Sequence, residues 1–206
     1  MAQGLTLYHN QGSGNCYKVR LLLHQLGHAF SCVDVDVVKG ETRTADFLRI
    51  NPAGKVPALD LGDGRKLSES NAILLYFAEG TQYLPDEPFD RAQVHQWLFW
   101  EQYSHEPCIA VARYLMHYLG KTEADEPRLQ ELWEKGRAAL GVMEGHLAER
   151  DFFVGGRYTI ADIALYAYTH VAAEGGFDLG PYPALRAWIG RVATRPRHIA
   201  IDDVVW

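Results

Sequence analysis

Apolar and polar positions change rhythm along the chain, from short alternating runs in the first part to long helical spacing in the rest. Leu5 to Tyr8 is a short apolar run that reads as a strand. Val19, Leu22, Leu23 and Leu26 then recur at helical spacing until Gly27 stops the pattern. In FSCVDVDVV, Val33, Val35 and Val37 alternate with Cys32, Asp34 and Asp36, which predicts a half-exposed strand and completes a βαβ unit. A polar loop leads to a short helix over 44–50, a turn, a strand over 57–61, a Gly-Asp-Gly turn at 62–64, a second strand over 65–68 and a helix over 71–78. Strands joined by so short a turn run antiparallel. The first part is therefore α/β, a mixed four-stranded sheet with helices.

Pro85 and Pro88 in GTQYLPDEPF break the pattern and mark a linker over 81–89. Beyond it the spacing is helical: 94–116, then Leu129, Trp133, Leu140, Met143 and Leu147, then 160–173 and 184–193. The predicted organisation is an α/β domain over 1–80, the linker, and an all-α domain over 90–206. Thr159 and Asp162, three residues apart at the start of an apolar run, match a capping box, so Asp162 reads as structural. The tail HIAIDDVVW either lies over a cleft or forms a packed end.

Composition narrows the class without naming the chemistry. The chain has 206 residues, 48% apolar and 22% charged, as expected of a soluble globular protein. A net charge of -6 with no basic block argues against nucleic acid or an anionic membrane as partner. No run approaches the roughly 20 apolar residues of a membrane helix, and no signal peptide is visible, so a cytoplasmic location is expected. The three cysteines, Cys16, Cys32 and Cys108, suggest neither a disulfide framework nor a zinc site. His24 and His28 stand four apart without a third ligand, so no metal is expected.

The stretch QGSGNCYKVRLLL, between the first strand and the first helix, carries the candidate chemistry. A phosphate-binding loop needs Ser or Thr after its Lys, but Val19 follows Lys18. A dinucleotide fingerprint needs a third Gly where Tyr17 stands. Ser13-Gly14-Asn15-Cys16 instead places Ser where a C-x-x-C redox pair has its leading thiol. The turn keeps a geometry that welcomes anions but lacks that thiol, which suggests that the thiol arrives with a bound molecule.

With SGNCYKVRLLL, NPAGKVPAL, LSESNAILLY and FVGGRYTIADIALYAY in this order, the whole chain resembles the cytosolic glutathione transferases. The resemblance implies a thioredoxin-like N-terminal domain, an all-helical C-terminal domain, glutathione as co-substrate, a small hydrophobic electrophile as acceptor, a detoxifying role and a homodimer. Ser13, Cys16 and Val19 match the S-x-x-C-x-x-V pattern of the serine-type classes, so Ser13 would donate a hydrogen bond to the glutathione sulfur, with Asn15 and Cys16 as rival partners. A charge-assisted bond of roughly 1.5 to 3 kcal/mol lowers a thiol pKa by about one to two pH units. Cys16 also falls on the apolar stripe of Val19 and Leu23, a core position.

By the same resemblance Val56 would pair its main chain with the cysteinyl backbone, and Pro57 would be preceded by a cis bond. Ser70 and the helix start after it would hold the γ-glutamyl carboxylate, with Glu69 on the ammonium. Lys55 is matched to the glycyl carboxylate, with Lys39 and Arg43 as helpers. Tyr103, His105, Arg113 and Met116 are the acceptor-pocket candidates, although such side chains at helical spacing commonly form core. A glutathione-dependent disulfide reductase or peroxidase, and a non-catalytic binder, are the alternatives.

Overall fold

The structure, a computed structural model, describes residues 4–124 and 126–204. The chain divides into two compact units, residues 4–81 with 196–204 in one and 82–195 in the other.

The first unit is built on a four-stranded mixed sheet in the order β2-β1-β3-β4. Strand β1 (Leu5–His9) pairs in parallel with β2 (Phe30–Asp34) and antiparallel with β3 (Ala58–Asp60), and β3 pairs antiparallel with β4 (Lys66–Ser68). Parallel pairing of β1 and β2 requires a crossover, which α1 (Gly14–Leu26) supplies. That helix ends where Gly27 takes φ 78°, a left-handed conformation that costs glycine nothing. The alternation of β1 sends Leu7 to one face, against Val19 and Leu23 of α1 and Ile73 of α3 (Ser70–Ala78). Tyr8 goes to the other face, with Phe47 and Ile50 of α2 (Ala45–Ile50). The sheet is thus covered by α1 and α3 on one side and by α2 on the other.

Two expectations change here. The valine alternation does not continue as a strand: β2 stops at Asp34, Val33 and Val37 are exposed, and only Val35 is buried. Just beyond it the Asp36 side chain accepts the N–H of Lys39, three residues on, at 2.9 Å, and holds the chain in a turn rather than in the sheet. Residues 196–204, assigned above to the helical domain, belong to the first unit. Their main chain is held by α1: Tyr17 donates its hydroxyl to the Ile199 carbonyl at 2.7 Å. The buried Arg20 guanidinium donates to Gln11, Ile201 and Asp203 carbonyls at 2.8, 2.7 and 2.9 Å. Over its described residues, 198–204, the tail is a packed end.

The second unit is helical: α4 (Pro88–Trp100), α5 (Glu106–Arg113), α6 (Arg128–Leu147), α7 (Ile160–Thr169) and α8 (Pro183–Ala193). Pro88 is not a breaker but the first residue of α4, whose N–H groups Glu87 caps by accepting from Asp90. The helix expected over 94–116 is interrupted by wide π turns at Glu101–His105 and Tyr114–Tyr118. Pro107 lacks the N–H that would bond to Tyr103, which accounts for the first. At the start of α7, Asp162 accepts from the N–H groups of Thr159 and Phe153 and from the Trp188 indole at 2.9, 3.2 and 2.9 Å. The predicted capping box is present, and a tryptophan from α8 joins it.

Candidate functional site

The start of α1 follows directly from β1. The Ser13 N–H donates to the Asn10 carbonyl at 3.1 Å, closing the turn. Ser13 is the N-cap, and its Oγ accepts the N–H of Cys16 at 3.4 Å. An accepting hydroxyl keeps its proton for donation, and the Ser13 side chain also hydrogen-bonds the Cys16 sulfur. Ser13 and Asn15 are partly exposed, whereas their neighbours Gly14 and Cys16 are buried.

Asn15 is tied from behind. Its Oδ1 accepts from the Lys18 ammonium at 2.8 Å and from the Ser70 hydroxyl at 3.1 Å. Lys18 Nζ also lies 3.5 Å from Ser70 Oγ, and both residues are buried. Ser70 is the first residue of α3, so this knot brings the N-terminal ends of two helices together around one ammonium. Each helix end contributes free N–H groups and a partial positive charge. The combination suits an anion at either end. Lys18 was missed as a site residue, although its three-residue spacing from Asn15 puts both on one helix face.

Cys16 requires a correction. Its side chain is fully buried, accepts a long bond from the Asn10 N–H at 3.4 Å, hydrogen-bonds with the Ser13 side chain, and has its pKa pushed up to about 11 by burial. Burial favours its thiol form, and its place is on the core side of α1.

The loop before β3 is braced internally. Asn51 donates through Nδ2 to the Lys55 carbonyl at 2.7 Å and accepts the Ala53 N–H at 3.1 Å. The Val56–Pro57 bond is cis. Lys55 is exposed beside it, while the Val56 side chain packs with Val35, Phe47 and Ala58. Arg43 is turned to the loop, donating to the Ala53 carbonyl at 3.4 Å and lying over Gly54. Lys39 forms an exposed ion pair with Asp36 at 2.9 Å, which draws it to its own turn. Glu69 takes φ 68°, a region non-glycine residues occupy at a cost of order 1 to 3 kcal/mol and mainly at functional sites. Its side chain is exposed, immediately before the α3 start.

Of the four acceptor-pocket candidates, Arg113 and Met116 meet the same 174–176 turn. His105 is sealed in the helical unit, its Nε2 2.9 Å from the Thr169 hydroxyl. Arg113 is buried, donates from Nε to Glu174 at 2.7 Å and lies over the Tyr118 ring at 5.3 Å. Tyr103 is 87% exposed, and Met116 lies against Gly176. Helical spacing here reports packing for His105 and Arg113.

Residues 3–79 match the N-terminal domain of glutathione S-transferase, and residues 98–196 match the C-terminal domain. The chain belongs to the glutathione S-transferase family. A glutathione S-transferase crystal structure from Pseudomonas fluorescens [Pf-5] is 51% identical, with 98% of this chain and 100% of that one covered and a TM-score of 0.95. The disulfide-bond oxidoreductase YfcG of Escherichia coli (strain K12) is 32% identical over 194 residues, covering 88% of this chain and 87% of that protein. Ure2p in complex with glutathione is 28% identical with a TM-score of 0.85, covering 96% and 97%. In this family member the thioredoxin-like sheet and the helical domain stand in the family's order.

Proposed function

We propose that this protein binds glutathione at the paired starts of α1 and α3 and holds its sulfur as a thiolate for attack on a small hydrophobic electrophile. The observation that carries the reading is the first turn of α1: two partly exposed polar side chains, Ser13 and Asn15, flank a cysteine that is sealed and protonated. The protein offers no thiolate of its own there, so the nucleophile comes with the ligand. The Ser13 hydroxyl and the Asn15 amide donate to sulfur, the thiol proton leaves to solvent, and the thiolate forms a carbon–sulfur bond as the leaving group departs. The Val56 main chain pairs with the cysteinyl backbone, the α3 start with Ser70 takes the γ-glutamyl carboxylate, and Glu69 takes the ammonium. Lys55 takes the glycyl carboxylate, with Lys39 and Arg43 as secondary cations. A homodimer is part of the same reading, and a monomeric mass by light scattering at micromolar concentration refutes that part.

Ultraviolet difference titration of bound glutathione tests the core of it. A lowered thiol pKa in the wild type should rise by about one pH unit in Ser13→Ala and in Asn15→Ala, from the value of one hydrogen bond to a charged group. An unshifted thiol in the wild type overturns the mechanism. The 32% identity to a disulfide-bond oxidoreductase favours a second reading, in which the thiolate attacks a disulfide sulfur and releases the other sulfur as thiolate. Turnover of a glutathione mixed disulfide in excess of an aryl halide selects that reading.

A further inference from the structure

The C-terminal tail has no place in the reading above, yet it meets the first turn of the site directly. Gln11, two residues before Ser13, donates through Nε2 to the Ile201 and Asp203 carbonyls at 3.1 and 3.0 Å. We propose that Gln11 is a positioning residue that couples docking of the tail to binding of glutathione at the turn that bears Ser13. This rests on the proposed glutathione site and assigns what holds its turn in place.

The sequence Gln11-Gly12-Ser13-Gly14 sets Ser13 between two glycines. Glycine has no side chain to anchor it and loses the most conformational freedom on ordering, so the place of Ser13 depends on tethers further out. Asn10 supplies the tether toward the sheet: its carbonyl accepts the Ser13 N–H at 3.1 Å, and its Nδ2 donates to the Val35 carbonyl at 3.4 Å. Gln11 supplies the tether toward the tail. The two tail carbonyls that accept from Gln11 also accept from Arg20, at 2.7 Å for Ile201 and 2.9 Å for Asp203. The same guanidinium donates to the Gln11 carbonyl at 2.8 Å. A carbonyl oxygen has two lone pairs, so two donors fill each tail carbonyl. The turn, α1 and the tail thus close into one ring of hydrogen bonds. The tail is shaped for it: Ile199 and Ile201 are buried, and the Asp203 carboxylate accepts the Ala200 N–H at 2.7 Å. Undocking the tail takes both of these acceptors from Gln11 and loosens the turn. By reciprocity, a ligand that favours the ordered turn favours the docked tail.

A tail that only caps the fold would not respond to a ligand at the turn. The two roles separate in hydrogen exchange of the Ala200 and Asp203 amides in the full chain, with and without saturating glutathione. The comparison variant is Gln11→Leu, which removes the Nε2 donor and keeps the main-chain carbonyl for Arg20. In the wild type, glutathione should slow exchange at both amides by about fivefold or more, the low end of couplings between sites. In Gln11→Leu that slowing should fall below about twofold, while the glutathione dissociation constant rises about fivefold, as reciprocity requires. Unchanged tail exchange in a wild type that binds glutathione overturns the inference and leaves the proposed function standing. A slowing as large in Gln11→Leu as in the wild type also overturns it, because ligand binding then stabilises the native state as a whole. A wild type that does not bind glutathione removes the proposed function, and the inference with it.

Discussion

The starts of α1 and α7 use the same local grammar to opposite ends. Each follows an extended residue with a hydroxyl at the N-cap, Ser13 in one case and Thr159 in the other, and each has an amide or carboxyl side chain in the first turn. At α7 both polar residues are fully buried and Asp162 is surrounded by donors from three segments, with its carboxyl pushed up to about 6 by burial. At α1 the cap bond is long, at 3.4 Å, and Ser13 and Asn15 remain partly exposed, with Lys18 and Ser70 donating to the oxygen of the amide. A saturated helix start holds a fold together. A start left partly exposed can receive a ligand.

Asp162→Ala should break the comparison most severely. It leaves the Trp188 indole and two backbone N–H groups buried without their acceptor, and should lower unfolding free energy by about 3 to 5 kcal/mol in denaturant titration. The thiol pKa of glutathione bound to the fraction that stays folded should not move, and a moved pKa would blur the distinction drawn here.

A pH effect of about 3 kcal/mol should come from His9, the last residue of β1 and buried just ahead of the turn that leads into α1. Burial, aided by the Arg20 charge, lowers its pKa to about 4. An unfolded histidine takes a proton near pH 6.5, while the folded one resists until about pH 4. Between those values the unfolded chain binds more protons, so the His9 contribution is full above pH 6.5 and is lost as pH falls through 4. The difference in stability between wild type and His9→Leu, followed across that window, should show this slope. A flat difference would place no titrating group there.

The smallest stability effects should carry the sharpest chemical contrast. Ser13→Ala should cost about 1 kcal/mol or less, as for loss of a long cap bond, yet reduce thiolate formation. Cys16→Ala should cost a similar amount through lost packing and leave the thiol pKa unchanged. If the two variants behave alike in the titration, the division of the turn into an open and a sealed side fails.

Much of this was legible in the residues because the deciding signals are local. The βαβ unit, the Gly-Asp-Gly hairpin, the helical second unit and the Thr159–Asp162 box all rest on spacings within one element. What escaped depends on residues far apart. Ser70 meets Asn15 across 55 positions, so nothing in the helix spacing of Lys18 showed that its ammonium would be buried between two helix starts. The end of β2 escaped for a different reason: valines alternate whether or not a sheet continues beneath them, and one aspartate turn removes the sheet. His105 shows the reverse error, a reactive residue type whose burial against Thr169 makes it part of the packing.

The return of the tail to α1 sets an order of assembly. Ribosomes deliver the chain from its N-terminus at about 5 to 20 residues per second. Arg20 and Gln11 emerge together, but Ile201 and Asp203, the other carbonyls that Arg20 grips, lie 181 and 183 positions further on. For on the order of ten seconds or more the nascent first unit holds a guanidinium without two of its acceptors. The Arg20 bond to Gln11 can form early, and the guanidinium gains its full set of acceptors only after the helical unit has been synthesised.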